Sequence, residues 1–138
     1  MRFFALVLML LLAACATYPV SIEQASLVRS SHILAPPQWF TEAPYTGRLV
    51  VKRDGGLMGS ACTIRVFIDA VPVADLAPTE KIELFVALGE HIVGAAPTQF
   101  FCGGGASEAS VLITPEKEKI MRIAAGQSGD IHLQPSAF

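Results

Sequence analysis

From Gly47 onward the sequence alternates apolar and polar side chains with a period of two, and this pattern constrains the fold more than any other feature. Leu49 and Val51 alternate with Arg48, Val50 and Lys52, and Ile64, Val66 and Ile68 alternate with Thr63, Arg65 and Asp69. Successive strand residues point to opposite faces, so such runs bury one face and expose the other. Ile82, Leu84, Val86 and Leu88 form a third inward row, with Lys81 and Glu83 outward, and the turn Gly89-Glu90 implies a hairpin into His91–Ala95. Further strands are expected around Ala109, Val111 and Ile113, over residues 119–124, and over 130–133. Asp54-Gly55-Gly56, Thr114-Pro115-Glu116-Lys117 and residues 126–129 supply turn chemistry. Seven short strands with no strand-helix-strand alternation predict an all-β sandwich and exclude a nucleotide-binding α/β fold.

The excess in an apolar content of 52% is local to the amino terminus, where Arg2 precedes the apolar run Phe3 to Leu12 and the small residues Ala13 and Ala14. A positive residue, an apolar stretch of about ten and small residues have the layout of a secretory signal, too short to span a bilayer. No later apolar run approaches the roughly 18 to 20 residues of a membrane-spanning helix. A net charge of -2 leaves no basic surplus for phosphates, so no nucleic-acid partner is expected.

Leu12-Ala13-Ala14-Cys15 resembles the lipobox of bacterial lipoproteins. The resemblance implies diacylglycerol transfer to the Cys15 thiol, cleavage before Cys15 and acylation of the new amino group. Several acyl chains would hold the protein on a membrane where one would not. In the sorting rule that accompanies this resemblance, Ala16 in place of Asp directs the protein to the periplasmic face of the outer membrane. Three regions follow: a signal peptide over 1–14, a lipidated tether over 15–46 and a β-sandwich over 47–138. The tether reading rests on Pro19, Pro36, Pro37 and Pro44 and the lack of a sustained period. Within it, Ser21 to Arg29 fits a short helix capped by Ser21, and Trp39, Phe40 and Tyr45 are expected against the edge of the domain.

The segments Phe67 to Leu76, Ile82 to Val86 and Leu88 to Val93 resemble the PEGA-like surface-lipoprotein pattern of strand, tight turn, strand and Pro-Gly-Glu-His turn. Ala70 stands where that pattern has glycine and Leu88 where it has proline, which predicts looser turns at both places. The resemblance implies a small β-sandwich on the envelope and no catalytic residue.

With Cys15 lipidated, parity in an oxidising compartment pairs Cys62 with Cys102. Neither cysteine has a metal-ligand neighbour at suitable spacing, so no metal or cofactor residue is assigned. Gly103-Gly104-Gly105 lacks the following helix and lysine of a phosphate loop, and its glycines read as positive-φ positions beside the disulfide. His32, His91 and His132 share no spacing. Ser60, His91 and Asp69 or Asp75 supply the residue types of a hydrolase triad, but no nucleophile-elbow motif places them, so no catalytic residue is assigned and no enzyme is expected. The expectation is a lipid-anchored accessory module that binds an envelope protein. The alternative is an inhibitor or immunity-type lipoprotein that inserts the Gly-rich turns at 55–59 or 102–105 into a toxin or lytic enzyme.

Overall fold

The computed structural model describes residues 17–56, 59–126 and 128–138. The lipobox and Cys15 lie outside the described residues. Two sheets face each other. The first contains β1 (Ser26–Leu27), β2 (Thr46–Arg53), β5 (Glu80–Ala87), β8 (Lys119–Ala125) and β9 (Ile131–Pro135), in the order β1-β5-β2-β8-β9. The second contains β3 (Ile64–Ile68), β4 (Val71–Leu76), β6 (Gly89–Pro97) and β7 (Ser107–Ile113), in the order β4-β3-β6-β7. The second sheet is wholly antiparallel, whereas β1 runs parallel to β5 and β2 parallel to β8. The protein is an all-β sandwich.

The inner rows match the alternation. Leu49, Val51, Ile64, Val66, Ile68, Ile82, Leu84, Val86, Val111 and Ile113 are all buried and join Leu76, Val93, Met121 and Ile123 in one core. Strand number and connectivity differ from expectation. Gly89-Glu90 does not close a hairpin, because β5 and β6 belong to different sheets. Gly89, at φ 119°, carries the chain across the edge of the sandwich. Leu88 therefore sits at a corner, exposed, instead of on the inner row.

A two-residue hairpin does form between β3 and β4, through Asp69 and Ala70 alone, with Ile68 paired to Val71. Both turn residues have positive φ, 49° and 66°, as a twisted two-residue turn demands. The turn is thus tight in spite of Ala70. A register shift beside Val66 and Phe67 places Val73 and Ala74 together in the interior.

The tether expected over 15–46 is corrected for its described part, because residues 18–46 lie against the sheets. Ser21 and Gln24 exchange the reciprocal bonds of a capping box, Gln24 N–H to Ser21 Oγ and Ser21 N–H to Gln24 Oε1. Only one turn forms. The Ser26 and Val28 N–H groups donate to the Thr79 and Lys81 carbonyls, so strand pairing replaces the predicted helix. So short a helix has little stability of its own to set against an open sheet edge. Further on, the Leu34 and Ala35 N–H groups donate to the Val73 carbonyl and cover the outer edge of β4. Trp39 packs against the core, as expected of this aromatic group, while Tyr45 stands 84% exposed.

Candidate functional site

The end of the sandwich at which β2 and β8 finish gathers the most unusual side chains. Arg53, on the inner face of β2, is 5% exposed and closes this end of the core. Its guanidinium donates to the carbonyls of Cys62 at 2.5 Å, Leu76 at 2.8 Å and Gly59 at 2.7 Å. Burial pushes its pKa down to about 10, with Glu80 acting in the other direction. Beside it Cys62 and Cys102 are joined in a disulfide, their Cα atoms 6.2 Å apart, within the ordinary span of such a bridge. Gly103, Gly104 and Gly105 all have positive φ. A Cβ on Gly104 would collide with the Gly129 carbonyl oxygen, so the glycine run serves a close approach of two turns.

Thr17, Arg53, Cys62, Cys102, Ala125 and Gly129 line one small cavity at this pole. Thr17 Oγ1 donates to the Ala125 carbonyl at 3.0 Å. The next residue, Tyr18, forms a two-bond bridge with Gly55. Phe100 and Phe101 project here from the short 3-10 turn Phe100–Cys102, 98% and 69% exposed, with their rings edge to face.

Outside the first sheet the N-terminal segment forms a strap. The outward row of that sheet aligns Lys81, Lys52 and Arg122 on three neighbouring strands. Lys52 Nζ donates to the Val20 carbonyl and lies 4.5 Å from the Phe138 ring centre, and Lys81 Nζ donates to the Ile22 carbonyl at 2.9 Å. Arg122 grips the buried Asp54 carboxylate, its Nε at 2.9 and 2.8 Å from the two oxygens. Lys52 is fully buried, and this burial lowers its pKa, with Asp54 acting against the shift. Val50, outward by alternation, is also fully buried beneath this cover.

The structure brings together one pair from the residues of the possible triad. The Asp69 carboxylate contacts His91 Nδ1 at 2.6 Å and accepts the Ile92 N–H at 2.9 Å. That backbone bond, then the His91 contact, holds the Asp69 carboxyl below its ordinary range. His91 Nε2 meets the Ala87 carbonyl at 2.7 Å. Both ring nitrogens are thereby engaged at the turn they brace. Ser60 lies two residues before the bridged Cys62, at the opposite pole, and Asp75 forms a bidentate pair with Arg65. His132 contacts Asp130, and His32 lies in a separate 3-10 turn. Among the described residues no group of three or more His, Cys, Asp or Glu is gathered.

Among the described residues, no strap crosses the outer face of the second sheet. Phe67, Ile92, Gly94, Ala96 and Glu108 border a shallow, largely apolar groove there. Comparison with known proteins finds no matching family model, no matching curated protein and no matching solved structure.

Proposed function

We propose that this chain is a lipid-anchored envelope lipoprotein, attached through Cys15 at the outer membrane, whose sandwich is a non-catalytic protein-binding module. The observation that carries the reading is the unequal cover of the two sheets. The first sheet's outer face is covered around Lys52 and Lys81 by the segment through Val20 and Ile22 and by Phe138, and the edge of β4 is covered by residues 33–35. The second sheet leaves an apolar groove centred on Gly94 uncovered. Exposed apolar area of this kind, where the open part of the first sheet carries the charged Arg48, Glu83 and Glu118 instead, favours a partner. The lipobox resemblance and the PEGA-like pattern support the same reading.

The test uses the full chain in its envelope, with a photo-crosslinkable residue in place of Ile92. One envelope protein should be captured, and Gly94→Val should abolish that capture while leaving the melting temperature unchanged. A Cβ at Gly94 meets Phe67 and Glu108 only at ordinary contact distances of 3.6 to 3.8 Å, so the substitution fills the groove without a clash. Capture that is absent, or indifferent to Gly94→Val, would refute the binding face. Capture of a lytic enzyme that loses activity in the complex would replace the accessory role with inhibition. Mass spectrometry of the mature chain should find an acylated Cys15, and Cys15→Ala should release the protein from membranes.

A further inference from the structure

The exposed pair Phe100 and Phe101 lies at the pole from which the anchored N-terminus departs. Thr17 and Cys102 line the same cavity, and Tyr18 is bonded to Gly55 at that pole. Cys15 precedes Thr17 by two residues, which span at most about 7 Å of extended chain. An acyl chain on Cys15 would therefore root within that distance of the pole that carries Phe100 and Phe101, and the strap prevents the domain from swinging away on a long tether.

The charge distribution is polarised along the same axis. In or beside the turns at this pole stand Arg53, Asp54, Glu80 and Asp130, and the first three are buried. The opposite pole carries Glu42, Asp69, Glu90, Glu116, Lys117 and Glu118 in or beside its turns. Two adjacent phenylalanines, one of them 98% exposed, are costly in water and favourable at the boundary between headgroups and acyl chains. The glycines that follow let the tip project without a bulky side chain behind it.

We propose that Phe100 and Phe101 form a membrane-inserting tip that seats this pole of the sandwich on the lipid surface holding Cys15. The proposal rests on the lipid-anchor reading for the direction in which the pole faces. It fixes the orientation of the module, with the charged pole turned away from the bilayer and the groove at Gly94 facing sideways.

The full mature chain is reconstituted in phosphatidylethanolamine and phosphatidylglycerol vesicles that contain lipids brominated near the headgroup. Phe100→Trp reports the tip and Tyr45→Trp the opposite pole, with the native Trp39 as the common background. Relative to that background, emission from the Phe100→Trp variant should shift to the blue and be quenched by the brominated lipid, while emission from Tyr45→Trp should do neither. Phe101→Trp gives a second reporter for the tip. Mass spectrometry of the same vesicles reports acylation of Cys15, which separates the two readings. Quenching in Phe100→Trp on an unacylated chain supports the tip and sinks the anchor. An acylated, vesicle-bound chain in which the Phe100→Trp reporter remains water-exposed, or in which the Tyr45→Trp reporter is quenched equally, overturns the tip. A water-exposed tip on an anchored chain would assign the two phenylalanines to a protein partner instead.

Discussion

Arg53→Met tests whether a buried cation, and not apolar packing alone, closes the pole of the sandwich at which β2 ends. The guanidinium donates to three carbonyls from two chain segments, Gly59 and Cys62 in one turn and Leu76 at the end of β4. A hydrogen bond to a charged group contributes about 1.5 to 3 kcal/mol, and leaving a buried acceptor unpaired costs about 1 to 3 kcal/mol. Methionine has similar reach and recovers apolar burial, and removing a desolvated cation returns part of the loss. The net expectation is a loss of about 4 kcal/mol, against total stabilities of roughly 5 to 15 kcal/mol for proteins in general. Arg53→Lys should lose about half as much, since an ammonium cannot reproduce the planar fork. With its pKa near 10, the group is charged at neutral pH. Urea unfolding followed by circular dichroism, with the disulfide intact, measures both variants. A loss below about 1 kcal/mol for Arg53→Met would refute the argument, because it would mean that the three carbonyls find other donors.

Ala70 occupies a left-handed conformation at φ 66°, so Ala70→Gly should stabilise the fold by about 1 kcal/mol and raise the melting temperature by several degrees; an unchanged or lower value counts against the turn geometry. Removing the disulfide with Cys62→Ala and Cys102→Ala should cost about 4 kcal/mol in the chain-entropy account, given a sequence separation of 40. Equal stability of parent and double variant in urea would show that the bridge adds nothing. The Asp69 carboxyl titrates below its ordinary value of 3.8 in the fold, so its contribution is present above that value and lost as the pH falls through the folded one. Asp69→Asn should therefore flatten the decline in stability below about pH 4, and unchanged acid profiles would contradict the assignment. Gly47→Ala would bring a Cβ to 2.5 Å from the Thr114 carbonyl oxygen and 2.7 Å from Ile113 Cγ2; a loss of about 2 kcal/mol in chemical unfolding is expected, and a neutral result would show that the neighbouring turn yields.

The inner faces were legible because they depend on alternation alone. Ile64, Val66, Ile82, Leu84 and Val111 are inside wherever their neighbours in sequence end up. Pairing was not legible, because alternation does not say which strands share a sheet. The Gly89-Glu90 turn suits a hairpin locally, yet the chain crosses there to the other sheet. Alternation assigns Lys52 to solvent and fails for a related reason, since its partners Val20 and Phe138 come from far away in sequence. Of the candidate site, the Cys62 and Cys102 pairing followed from parity. The Phe100 and Phe101 tip did have a signal, two consecutive phenylalanines beside a glycine run without a charge, which breaks alternation where no strand can use it. The role of Arg53 had none, because alternation places it inward without naming its three acceptors.

The strap bears on where the folded unit begins. Lys81, Lys52 and Arg122 stand side by side on the first sheet, and three neighbouring cations repel one another unless acceptors lie close. Asp54 serves Arg122, Glu83 contacts Lys81 at 2.8 Å, and the Val20 and Ile22 carbonyls serve Lys52 and Lys81. Without residues 18–25, Lys52 would lose its carbonyl acceptor and Lys81 one of its own. The folded body therefore includes the described residues from Thr17 onward, well before Gly47, and its stability includes the contacts that hold this segment down. A lipid on Cys15 would then be joined to a rigid body through two residues, not thirty. Under the proposed lipid anchor, the orientation of the sandwich on a membrane would be a property of its fold, set by the same lysines that clamp the strap.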